Sequence, residues 1–125
     1  MTRNLDDLSS RSKPKFFEFL ARCTEAGIAV MIVNVLRTEA EQAENIKKGV
    51  SWTKNSNHLP KPPEMKSEAI DICPYEMWSL YGPDKLEWNS DDPVWQKLGE
   101  IGKKIGLGWG GDWKQKDMGH FEFKL

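Results

Sequence analysis

Two short stretches alternate with period two. In each, one face is apolar and the other carries an ionisable side chain: Ile70 and Ile72 oppose Ala69, Asp71 and Cys73, and Phe121 and Phe123 oppose His120 and Glu122. A two-residue period is that of a strand with one face buried, so the segments 68–73 and 119–124 read as short strands. Asp71 is then an acid flanked by buried apolar neighbours. Ile28 to Leu36 is rich in β-branched residues and reads as a third, buried strand, which delivers Arg37 to its end.

Helical signals lie between these stretches. Lys13 to Glu25 has Pro14 in its first turn, Phe16, Leu20 and Cys23 at helical spacing, and Gly27 as a stop. Thr38-x-x-Glu41 is a capping box, predicting a helix from Glu39 to about Lys48, ended by Gly49. Asp92-Pro93 opens a third helix, with Val94, Leu98, Ile101 and Ile105 on one stripe. Pro60, Pro62 and Pro63 make Val50 to Lys66 a loop, and Gly106 to Trp113 reads as turn material. The mixture is α+β, and 125 residues fit one domain, 1–125, with no room for a second.

Composition excludes several classes. With 18 basic and 19 acidic side chains there is no footprint for nucleic acid or an anionic bilayer. The longest apolar run, Ile28 to Val33, is too short for membrane insertion, and residues 1–11 lack the apolar core of a secretory signal. Cys23 and Cys73 are too few for a disulfide framework, and both are expected to be reduced.

The chain has only two histidines, His58 and His120. Zinc takes imidazole nitrogens and carboxylate oxygens, and a catalytic site uses three protein ligands with a fourth position left for water. His58, Asp71 and His120 would supply one such shell. Equally, two surface histidines and a salt-bridged acid would look the same in composition.

The joint pattern distinguishes the two. Ser56-x-His58, Ala69-x-Asp71, Trp109-Gly110-Gly111-Asp112-Trp113 and Asp117-x-x-His120-Phe121-Glu122, preceded by Arg37-Thr38-Glu39-Ala40-Glu41-Gln42, resemble the M15 family of zinc peptidases, specifically the L-alanyl-D-glutamate endopeptidases of phage endolysins. The resemblance implies a small, mostly antiparallel sheet that carries the metal ligands, with helices packed on its other face, as in Hedgehog and DD-peptidase-like folds. It implies zinc on His58, Asp71 and His120, Asp117 as general base, and Arg37 as the group that binds a substrate carbonyl or its oxyanion.

Asp112 is the rival base, but its place in the Gly-Gly-Asp-Trp stretch marks it as a turn acid. Ser56 and Glu122 are expected to support the ligands by hydrogen bonding, and Cys73 is a minor alternative ligand. The sequence departs from the family's compact His-x-x-Gly-x-Ala-x-Asp segment: twelve residues separate His58 from Asp71, and Ser67 stands at the glycine position. The extra residues, Pro60, Pro62 and Pro63 among them, are expected to wall the substrate cleft.

The implied substrate is the bacterial peptidoglycan stem peptide, cut between L-Ala and D-Glu. D-Ala-D-Ala carboxypeptidase or dipeptidase activity on the same site, or a non-catalytic zinc-containing wall-binding module, are the alternatives. Such a lysin would be made in the host cytoplasm and act at the cell wall as a monomer. A holin-type partner would give it access.

Overall fold

A computed structural model describes residues 1–48, 56–75 and 85–124. Helix α1 (Lys13–Glu25) leads to strand β1 (Val30–Asn34), helix α2 (Glu39–Lys47), strand β2 (Ala69–Pro74), helix α3 (Val94–Lys104) and strands β3 (Gly108–Trp109) and β4 (His120–Glu122). The four strands form one antiparallel sheet in the order β1-β2-β4-β3. This is the expected α+β architecture. No helix among the described residues is long and apolar enough to cross a membrane.

Cross-strand partners share a face, so the register sorts the sheet into two surfaces. Ile70 pairs with Phe121, and Phe121 with Trp109, on one surface; Asp71 pairs with His120 and with Asn34, and Ala69 with Glu122, on the other. The apolar surface is covered by α1 and α3. Phe19 of α1 stacks on Phe121 with ring centroids 4.5 Å apart, and Phe16, Cys23, Ile70, Ile72 and Leu98 are buried in the same core. Helix α2 instead serves the polar surface, where its Gln42 is buried under Arg37.

Helix α3 approaches the sheet closely because two residues on its inner stripe have no side chain. A Cβ on Gly99 would lie 2.5 Å from the Trp109 ring, and one on Gly102 would lie 2.6 Å from Phe121. The aromatic rings occupy that volume, and the sheet can stay flat against the helix.

Several boundaries differ from the sequence reading. Strand β1 covers only 30–34 of the expected 28–36; its register shifts between Ile32 and Asn34, and beyond it Val35 N–H and the Leu36 carbonyl bond to the backbone of Thr2. Arg37 therefore sits three residues beyond the strand, not at its end. The 106–113 stretch holds the two-residue strand β3 and a 3-10 turn at Gly110–Asp112, too short to leave a periodic signal. The capping box of Thr38 and Glu41 is formed in both directions. Gly49, the expected stop of α2, lies outside the described residues, as do 50–55 of the expected loop.

The proline-rich loop packs on the N-terminal segment: Lys61 and Lys66 pair across it, the Glu64 carboxylate accepts from Ser10, and Ser67 exchanges backbone hydrogen bonds with Asp7 and Ser9. At its start, Leu59 lines a cavity of about 300 Å³ with Gln42 and Ile46 of α2. The left-handed residue in this loop is Met65, with φ 57°, so Ser67 stands at the family's glycine position without needing glycine's freedom. Its buried hydroxyl accepts from the Ala69 N–H.

Substituting Gly102→Val should destabilise the fold by about 1–3 kcal/mol through overpacking against Phe121, read as a lower urea midpoint at unchanged slope.

Candidate metal centre

The polar face of the sheet gathers the two histidines around Asp71. Strand β2 presents Asp71, strand β4 presents His120 directly opposite, and the turn before the proline-rich loop brings in His58. Asp71 Oδ1 lies 3.1 Å from His58 Nε2 and 3.1 Å from His120 Nδ1, and the three donor atoms lie within 4.8 Å of one another. The twelve intervening residues have not separated the pair, as expected of loop closure, whose cost grows only slowly with length.

Each imidazole is oriented by an outer partner. His58 Nδ1 faces the Val35 carbonyl oxygen at 2.8 Å, which can only accept, so a proton sits on Nδ1 and Nε2 is turned inward to Asp71. His120 Nε2 faces Glu122 Oε1 at 2.8 Å, which fixes the complementary tautomer and leaves Nδ1 toward Asp71. Asn34 Nδ2 donates to the other oxygen, Asp71 Oδ2, at 2.9 Å. Ser56 Oγ accepts the His58 backbone N–H at 3.2 Å, and the His58 carbonyl accepts from the Arg37 N–H at 2.9 Å.

This donor set fits a cation. His58 Nε2 is buried and has no hydrogen-bond partner, although it lies 3.1 Å from an anionic oxygen. A lone pair held against a carboxylate is repulsive unless a positive charge lies between them. Donor atoms 3.1 Å apart approach the edge of a tetrahedral zinc shell, roughly 3.3 Å for bonds of about 2.0–2.1 Å. Without a metal, a proton takes that role at His120. Burial alone would lower its pKa, but hydrogen bonds from Asp71 and Glu122 raise it to about 9. Burial likewise works against ionised Asp71, yet the two imidazoles hold its carboxyl well below the usual range.

Asp117 is brought to the same place by the turn before β4. Its N–H donates to the Gly110 carbonyl at 3.0 Å and its carbonyl accepts from His120 N–H at 3.2 Å. A Cβ on Gly110 would come within 2.4 Å of the Asp117 carbonyl oxygen, and one on Gly119 within 2.3 Å of the Ile72 carbonyl oxygen, so both glycines permit the approach. The Trp109 indole N–H holds the Met118 carbonyl at 2.8 Å from below. Burial, and then the charge of Asp71, raise the Asp117 pKa against the opposing pull of His120, His58 and Arg37. A raised carboxylate beside a metal-ligand set has the character of a general base.

Asp71 and Asp117 open onto one pocket of about 390 Å³, lined also by Asn34, Trp88, Trp95 and Lys116. Asp112 is exposed and paired with Lys103 at 3.0 Å, consistent with a turn acid. Arg37 is 9% exposed; Nη1 donates to Gln42 Oε1, and Nη2 lies 4.0 Å from Asp71 Oδ2. Cys73 is excluded from the cluster because its thiol is turned to the Glu87 carbonyl. No disulfide joins it to Cys23. Trp113 packs on the His120 ring with centroids 4.8 Å apart.

Sequence reasoning missed Asn34 and gave no role to Gln42. Asn34 is the only polar residue in the run 28–36, a signal that was available, whereas Gln42 shows its purpose only once α2 is set against Arg37.

An α+β sheet that sets two oriented imidazoles around a half-buried carboxylate, with a raised second acid lining the same pocket as that carboxylate, defines a protein with a group that could hold a metal. A family profile described as D-alanyl-D-alanine carboxypeptidase matches residues 49–123, and the chain belongs to this family, peptidase M15. It is 29% identical to the L-alanyl-D-glutamate peptidase of Listeria phage A118 over 96% of this chain and 39% of the relative. It is 33% identical to the L-alanyl-D-glutamate peptidase of Escherichia phage T5 over 74% of this chain and 65% of that one. The chain thus spans under two thirds of either relative. The Serratia marcescens L-Ala D-Glu endopeptidase ChiX shares the fold, with a TM-score of 0.71 at 20% identity over 97% of this chain and 84% of that one.

In the metal-free protein the charged form of His120 is stabilised by folding. Its contribution should be complete below the unfolded value near 6.5 and vanish as pH rises through about 9. In chelator-treated samples, the melting-temperature advantage of wild type over His120→Gln should shrink across that window.

Proposed function

We propose that the chain is a zinc-dependent peptidoglycan endopeptidase of the endolysin type, cutting the stem peptide between L-Ala and D-Glu, with residues 1–125 acting as one catalytic domain. The observation that carries this reading is the convergence of His58 Nε2, Asp71 Oδ1 and His120 Nδ1 at the edge of a pocket that Asp71 and Asp117 both line. The names of the two phage relatives supply the bond.

His58, Asp71 and His120 would hold the zinc, which when bound acts as a Lewis acid and lowers the pKa of water in its shell to about 7. Asp117 takes the proton of the attacking water and returns it to the leaving nitrogen of D-Glu, so one carboxyl serves as base and then acid. Its raised pKa suits both halves of that cycle. Arg37 places a buried positive charge beside Asp71, where it favours the negative charge that develops on the carbonyl oxygen. Gln42 holds one arm of the guanidinium in place. Glu122 and the Val35 carbonyl fix the two tautomers, and Asn34 occupies the second oxygen of Asp71, leaving Oδ1 for the metal.

In a phage setting the domain would act on the cell wall as a monomer, after a holin-type partner has opened the membrane. A second reading has one specific support: the matching family profile is described as a D-alanyl-D-alanine carboxypeptidase, an activity that would use the same residues.

Digestion of purified peptidoglycan, with mass spectrometry of the new termini, separates the readings. Endopeptidase action gives new D-Glu amino termini that vanish with a chelator and return with zinc; release of D-Ala would instead support the carboxypeptidase. Asp117→Asn should lower kcat about 10²–10⁴-fold while zinc is still bound.

A further inference from the structure

The pocket beside Asp71 and Asp117 carries a cation that the reaction as described does not use. Among the described residues lining it, Lys116 is the only basic one. Lys116 is exposed and forms no ion pair among the described residues, whereas Lys103 is paired with Asp112, Lys66 with Asp7 and Lys48 with Glu44. The other cation at the site, Arg37, is buried and committed to Gln42 and Asp71.

The substrate proposed above is anionic where it matters. In the peptidoglycan stem, D-Glu continues the chain through its side-chain carboxyl, so its α-carboxylate is left free on the carbon that bears the leaving nitrogen. Asp117 must reach that nitrogen to protonate it. The carboxylate one carbon away therefore falls next to Asp117, where Lys116, its neighbour in sequence, lines the same pocket. Trp88, 56% exposed and lining the same pocket, offers a flat surface for the rest of the residue.

We infer that Lys116 is a specificity-determining residue that binds the free α-carboxylate of the amino acid on the leaving-group side of the scissile bond. The inference rests on the endopeptidase reading and adds to it a discrimination: stem peptides whose α-carboxylate is free are preferred over those in which it is amidated. A lysine ammonium donates to a carboxylate by a charge-assisted hydrogen bond and has no comparable attraction for a neutral carboxamide.

The test uses two synthetic substrates, N-acetyl-L-Ala-γ-D-Glu-L-Lys and its α-carboxamide twin, with the zinc-loaded wild type, Lys116→Gln and Lys116→Arg. Wild type should favour the acid, and Lys116→Gln should reduce the acid-to-amide ratio of kcat/KM about tenfold, the scale of one charge-assisted contact, mainly through KM. Lys116→Arg should retain the preference. The amide twin serves as the internal control for folding, since a general loss of activity lowers both substrates together and leaves the ratio unchanged. An unchanged ratio in Lys116→Gln overturns the assignment of Lys116 while the endopeptidase reading stands. Failure of the wild type to cut either substrate overturns the endopeptidase reading and the assignment with it.

Discussion

The structure turns on a half-buried carboxylate shared between two imidazoles. Asp71 Oδ1 is 3.1 Å from a nitrogen of each histidine, and its partner oxygen is held by Asn34. A carboxylate so desolvated is stable only with compensating positive charge and hydrogen bonds. The register of the central strands meets that demand by setting His120 opposite Asp71 on one side and Asn34 on the other. A shift of one residue on either strand would turn these groups into the apolar core, so the sheet's packing and its polar site are specified by the same alternation.

The layers behind the site make this register rigid. Phe121 lies between the site residues His120 and Glu122, and points the opposite way into Phe19 and Gly102. Trp109 joins the two sides: its ring packs against Gly99, while its indole N–H supports the loop that carries Asp117. The glycines of 108–111 are thus explained by close approach. A Cβ on Gly111 would fall 2.2 Å from the Trp109 ring, and one on Gly110 would collide with Asp117. Asp117, the proposed general base, is positioned by core packing as much as by its own turn.

Much of this was legible in the sequence because it was written in local signals. Period-two alternation marked β2 and β4, the capping box marked the start of α2, and Asp92-Pro93 marked α3, whose Val94 N–H is bonded by Asp92 Oδ1. The group that could hold a metal, His58, Asp71 and His120, stood out through the scarcity of histidine and family-like spacing. What was not legible depends on tertiary placement. The register shift within β1 has no sequence signature, and β3 is too short to be periodic. The partners of the proline-rich loop, Asp7, Ser9 and Ser10, are distant in sequence, and no local pattern encodes such contacts. Gln42 is a surface-type residue made buried by the way α2 is set against Arg37.

The central claim is that this carboxylate and two imidazoles form one zinc shell. Zinc-edge anomalous diffraction from crystals grown with the metal tests it most directly. A single strong peak is expected, bounded by His58 Nε2, Asp71 Oδ1 and His120 Nδ1 at about 2.0–2.2 Å from each. A peak held by another set, such as Glu122 with Asp117, or no peak on the polar face of the sheet, would contradict it.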